Sequence, residues 1–170
     1  MKLDFHSHIL PALDDGATCI EDSILLAEAL KDWGFERVTC TPHITNLHPN
    51  TPDTIKPAFE QLQEALAVSG IDLDIRMSAE YRLVPQTWPE VLEKNWLMPI
   101  EDRFILMELP ISKPEQMGQI STSSIETVSS ATPAGGAKVH TSLCTTPFLS
   151  PQATSTNAKK RYMTKLFLTY

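Results

Sequence analysis

Up to about residue 116 the chain alternates between two hydrophobic periods. Leu3 and Phe5 open it as a short apolar strand ending in His6-Ser7-His8, and an Asp14-Asp15-Gly16 turn follows. Ile20, Ile24, Leu25, Ala27, Leu30 and Trp33 then recur at three-to-four spacing, which predicts an amphipathic helix stopped by Gly34. Thr18 and Glu21 fit a capping box at its start. Residues 35–41 (FERVTCT) read as a buried strand that delivers Pro42-His43. A second helix begins with Thr51 as cap and Pro52 in the first turn, carries Ile55, Phe59, Leu62 and Leu66 as its stripe, and ends at Gly70. Residues 73–79 alternate with period two and end in Glu80. A short helix over 89–96 leads to a last strand, 103–107, followed by Glu108. Strand and helix in strict succession predict an α/β fold with parallel strands and right-handed crossovers.

Beyond residue 116 this rhythm stops. Residues 121–157 are crowded with Ser, Thr, Ala and Pro, and Glu126 is the last acidic residue of the chain. Such a composition buries too little apolar area to offset chain entropy, so 117–170 is expected to be a low-complexity, disordered tail behind a folded part at 1–116. Among the 170 residues the net charge is −7, which disfavours nucleic acid or an anionic membrane surface as partner. No apolar run reaches the roughly 18 residues of a membrane span, and the amino terminus lacks a basic-then-apolar leader pattern. Cys19, Cys40 and Cys144 have no paired spacing; they are expected to be reduced, which points to the cytoplasm.

The positions of the potential ligands change the picture. His6 and His8 follow the first predicted strand, His43 the second, Glu80 the third and Glu108 the fourth. Side chains at i and i+2 of a strand share a face, so His6 and His8 can converge on one ion, and Asp15 offers a hard oxygen in the adjoining turn. Taken singly, Glu80 and Glu108 are ordinary solvated strand-end carboxylates and His43 a capping histidine. In a parallel α/β barrel, however, the carboxyl ends of the strands share one face, where chemistry is built. Together they predict a metal site there. His48, in the loop NLHPN, reads as solvent-facing, and His140 lacks acidic neighbours that would make it a ligand.

The motifs HSHILPALDDGA, CTPHI, SAEYR and LMEL resemble the PHP superfamily (polymerase and histidinol phosphatase), and within it the bacterial capsule-type branch of metal-dependent protein-tyrosine phosphatases. The resemblance covers about residues 1–116. It implies a distorted parallel (β/α) barrel, here partial, with a cluster of three divalent metal ions: manganese first, with iron or zinc as alternatives. By resemblance His6, His8 and Glu80 belong to the first ion, Glu80 and Glu108 to the second, and Asp15 and His43 to the third. The second Asp of the pair matches the family position, which leaves Asp14 without a ligand role. Such ions lower the pKa of a bound water for in-line attack on phosphorus, so Cys40 is expected to be structural. The implied substrate is a phosphotyrosine protein, with a bacterial tyrosine kinase of capsule export as the candidate partner. The family's later histidine-acid-arginine motif and Asp-x-His pair do not occur. A truncated member, or one whose frame slipped near residues 117–121, is therefore expected, with an exposed edge on its fourth strand. Two other readings remain: a non-catalytic fragment or residual metal-binding or partner-binding module, and an amidohydrolase-like metallohydrolase, which Glu80 and Glu108 fit poorly.

Overall fold

The computed structural model describes residues 1–82, 88–108, 139–140 and 165–169, the last two segments by backbone alone. Strand β1 (Leu3–Ser7) leads through the acidic turn to helix α1 (Ile20–Asp32), then β2 (Arg37–Cys40) and β3 (His43–Ile44). Helix α2 (Pro52–Ser69), β4 (Asp74–Met77), β5 (Glu80–Arg82), α3 (Trp88–Glu93) and β6 (Phe104–Glu108) follow. The first sheet runs β1-β2-β4 and the second β3-β5-β6, and all these pairings are parallel. The result is the expected mixed α/β arrangement. Among the described residues the strands form two sheets and no closed barrel.

The strands predicted over 35–41 and 73–79 are β2 and β4, and each is followed, after a two-residue break, by a second short strand that begins at His43 or at Glu80. Pro42 has no N–H to give to a ladder, and it marks the first break. Hydrogen bonds still bridge both bends: Ser78 N donates to Cys40 O (2.9 Å) and Glu80 N to Pro42 O (3.0 Å). The same offset along the chain holds from Arg37↔Asp74 to His43↔Glu80, so register survives the bend. This matters for function, because it fixes His43 and Glu80 side by side.

The helices follow the predicted stripes with two corrections. On α2 Thr51 caps the first turn reciprocally with Thr54, Ile55, Leu62 and Leu66 are buried, and Gly70 closes the helix in the left-handed region at φ 69°. On α1 the box expected between Thr18 and Glu21 does not form. The helix starts at Ile20, so Asp22 occupies the third position and its carboxylate accepts from both the backbone and the hydroxyl of Thr18. Leu25 and Trp33, assigned to the apolar stripe, are exposed, while Ala27 of that stripe is buried as expected and the polar Ser23 is buried beside it.

The expected division at residue 117 falls largely outside the described residues, as do Cys144 and most of the Ser/Thr-rich segment. Two short strands are described there, β7 (Val139–His140) and β8 (Lys165–Thr169). Strand β8 runs antiparallel along β6 from Phe104↔Thr169 to Glu108↔Lys165, and β7 pairs with β8. The fourth predicted strand therefore has a neighbour on the edge that the composition left open.

Burying a leucine contributes roughly 1.5–3 kcal/mol, and removing one from a close-packed interior adds a cavity cost. Leu62→Ala should therefore lower unfolding free energy by about 2–5 kcal/mol in denaturant titrations. Leu25→Ala, on the exposed side of α1, should change it by less than about 0.5 kcal/mol.

Candidate metal centre

Three of the predicted ligands meet at one point. The Nε2 atoms of His6 and His8 lie 2.9 Å apart, and the Oε2 of Glu80 lies 3.2 Å from each. Glu80 is fully buried, and its neighbour across the sheet, His43, places Nδ1 3.4 Å from the same oxygen. A second group of donors comprises His8, His43 and Asp15, with Asp15 Oδ1 3.7 Å from His43 Nε2 and 3.9 Å from His8 Nδ1. His8 is common to both groups. Its Nδ1, however, is committed to Asp14, so only His43 and Asp15 are at liberty to serve the second position.

Asp14, which the sequence left without a role, holds these parts together. One oxygen lies 2.7 Å from His8 Nδ1 and also accepts the backbone N–H of His43 (2.9 Å); the other accepts the N–H of Gly16 (3.0 Å). Burial works against charge on both partners, but the hydrogen bonds and charges around them together outweigh it, Asp14 and Glu80 raising the imidazole of His8, and His8 with the backbone N–H groups of His43 and Gly16 lowering the carboxyl of Asp14. Fixing one ring nitrogen in this way turns the other toward Glu80, the usual arrangement behind a metal-ligating histidine. Asn50 was also missed. It is buried, and its side-chain amide donates to Leu13 O (2.9 Å) and His43 O (2.8 Å), pinning the acidic turn to the second strand. Reading as a turn residue ahead of the Thr51 cap, it gave no hint of that contact.

Gly16 is required by close approach. The N–H of Ala17 bonds to the carbonyl of His8 (3.0 Å), which brings Gly16 so near that a Cβ there would overlap the His8 carbonyl oxygen and Cβ. His48, expected to face solvent, is half-buried and stacks on His43 with ring centroids 5.5 Å apart at 17°. Its loop is pulled inward because the N–H groups of Thr45 and Asn50 both bond to the His48 carbonyl. Glu108 lies at the end of β6, beside Arg82 in the register and thus one row beyond Glu80. Burial, then the charge of Glu80, raises its carboxyl above the usual range. It joins neither group of three donors within 4.8 Å among the described residues.

The donor set suits a divalent transition ion. Two imidazole nitrogens and a carboxylate oxygen with edges of 2.9–3.2 Å match ligands that sit about 2.0–2.2 Å from a common centre. The Nδ1 of His43 is buried without a hydrogen bond, which a charge beside it would explain. Burial of His43 lowers its pKa, so it offers the neutral imidazole that ligation needs. Cys40, by contrast, is fully buried and burial pushes its thiol up to about 12, far from a nucleophilic thiolate.

Comparison with known proteins shows where the chain as a whole belongs. The tyrosine-protein phosphatase YwqE of Bacillus subtilis (strain 168) is 33% identical over 109 residues, which are 64% of this chain and 43% of the relative. CapC of Staphylococcus aureus is 25% identical over 109 residues, with the same shares. The chain thus spans less than half the length of these relatives. The crystal structures of YwqE from Bacillus subtilis and CpsB from Streptococcus pneumoniae, described as metal-dependent tyrosine phosphatases, include a chain with 32% identity and a TM-score of 0.60, covering 74% of this chain and 52% of that one. Residues 2–131 match the family described as capsular polysaccharide synthesis, CpsB/CapC, and the chain belongs to that family.

Proposed function

We propose that this chain carries the metal-binding part of a metal-dependent protein-tyrosine phosphatase acting in capsular polysaccharide synthesis. The observation that carries this reading is the meeting of His6, His8 and Glu80, with His43 and Asp15 beside them, at the carboxyl ends of parallel strands. Family membership and the names of YwqE and CpsB support the substrate class, a phosphotyrosine protein. A bacterial tyrosine kinase of capsule export is the partner we infer, and a partial barrel of the PHP type is the architecture.

In this reading His6, His8 and Glu80 hold one ion, Glu80 and Glu108 a second, and His43 and Asp15 a third. Manganese is the ion we expect, with iron and zinc compatible with the same nitrogen and oxygen donors. When bound, such ions make a water acidic enough to act as nucleophile near neutral pH and screen the phosphoryl charge. The chain's own part is positional. Asp14 orients His8, Asn50 holds the acidic turn against His43, and Glu80 is locked in place by burial. Among the described residues each group offers three protein donors, and three with an open position is the arrangement of catalytic rather than structural sites.

A second reading, a metal-binding module without turnover, draws on Glu108, which joins neither group of three donors among the described residues. Turnover of p-nitrophenyl phosphate with and without manganese, together with metal content, separates the two. The phosphatase reading expects manganese-dependent turnover that His6→Ala lowers by at least about a hundredfold along with metal content. Metal-replete protein without turnover selects the binding module.

Asp14→Asn keeps the shape but weakens the grip on His8, and should reduce manganese affinity by about 10–100-fold in competition with a chelator. Gly16→Ala must displace His8, so it should lower manganese affinity more than stability. Metal titration near pH 7 in weak buffer should release protons, since an ion replaces the proton that His8 holds between Asp14 and Glu80. Because the His8 pKa is raised, apparent affinity should increase as pH rises from 6 to 8.

A further inference from the structure

Side chains alternate along a strand, so Arg82 lies on the same face of β5 as Glu80, roughly 7 Å further toward the strand's end. The register sets it opposite Glu108 on β6. Arg82 is half-buried, and its Nε is shut off from solvent with no hydrogen-bond partner. Arg37 and Arg76, in the first sheet, are tied to Asp74 at 2.6 and 3.1 Å. Among the described residues no carboxylate lies within ion-pair distance of Arg82, although Glu108 is its neighbour and feels its charge.

A guanidinium Nε shut off from water without a hydrogen-bond partner is costly, and the cost falls away once an oxygen arrives in a geometry that the planar fork can engage. The acidic residues on this face are the candidate metal ligands and do not engage it. Among the described residues none supplies the oxygens, and an occupant from solution can. The space it would share with Arg82 adjoins the His6–His8–Glu80 cluster, where cations, once bound, would also favour an anion. A tetrahedral oxyanion meets both demands, because a guanidinium donates to two of its oxygens in parallel.

We propose that Arg82 is a substrate-binding residue that holds the phosphoryl group, in the bound phosphotyrosine and in the released phosphate alike. This assignment rests on the phosphatase reading for the identity of the oxyanion, and it is tested by binding rather than by turnover. Orthophosphate and a phosphotyrosine peptide are titrated calorimetrically into the full chain, with and without manganese, for the unaltered protein and for Arg82→Gln. Metal content and thermal midpoint are measured alongside.

The expected result is a fall of about tenfold or more in affinity for both ligands, from loss of a charge-assisted hydrogen bond, with metal content unchanged. Equal orthophosphate affinity in the two proteins overturns the assignment. So does a loss confined to the peptide, which would put Arg82 against the polypeptide, or a parallel loss of metal, which would make it a support for Glu108. Should the glutamine variant fail to fold, Arg82→Lys keeps the charge without the fork; a several-fold loss of phosphate affinity is then expected, and no loss overturns the proposal. Phosphate bound through Arg82 without any turnover would sink the phosphatase reading and leave this site standing. An unaltered chain that binds neither ligand, with or without manganese, overturns the Arg82 assignment itself.

Discussion

The contact between Asp14 and His8 fixes the rest of the site. That one buried carboxylate binds an imidazole nitrogen, the backbone of His43 and the backbone of Gly16. It therefore couples the first strand end, the second strand end and the turn between them. Each of these hydrogen bonds goes to an ionised acceptor, the class whose net worth is roughly 1.5–3 kcal/mol apiece. Without it His8 would be free to rotate, and His43 would lose its tie to the turn.

The sheet supplies the other half of the geometry. Bends at Pro42 and at Ser78–Ala79 divide the strands, yet the ladder and its register run through both. A bend that preserved the hydrogen bonds but shifted register by one would turn Glu80 to the opposite face. Behind the sheet, Ser78 Oγ donates to Met98 O, and the Tyr81 hydroxyl both donates to Trp96 O and accepts from Met98 N. These contacts anchor the segment after α3 against the strands flanking Glu80. The nearby apolar groups Ile44, Ile55 and Met107 are buried beneath.

Much of this arrangement is legible in the chain because it is written locally. Strand alternation brings His6 and His8 together, and the strand-end positions of His43, Glu80 and Glu108 follow from periodicity alone. What periodicity cannot express is orientation across elements. Asp14 and Asp15 are adjacent and chemically identical in sequence, but folding buries the first against His8 and leaves the second two-thirds exposed. Asn50 and His48 belong to a loop that looks solvated, and only its fold back onto His43 gives them contacts. The acid that meets Thr18 is Asp22 and not Glu21 because the helix starts at Ile20, a boundary that two neighbouring acids leave open in the sequence. The pairing of Lys165–Thr169 with β6 joins segments far apart in the chain, beyond the reach of composition.

The turn between His8 and Ala17 is closed on itself: Ala17 N bonds to His8 O, Ala12 N bonds to Ala17 O at 2.9 Å, and Gly16 leaves no spare volume against His8. Such a ring cannot breathe to suit its guest. Calcium asks for six to eight oxygens at 2.3–2.6 Å in a yielding shell, whereas this cradle is small, stiff and half nitrogen. In the proposed metal-site reading, discrimination against the abundant large cation is mechanical, set by how tightly a ten-residue loop is wound and by a missing methyl group.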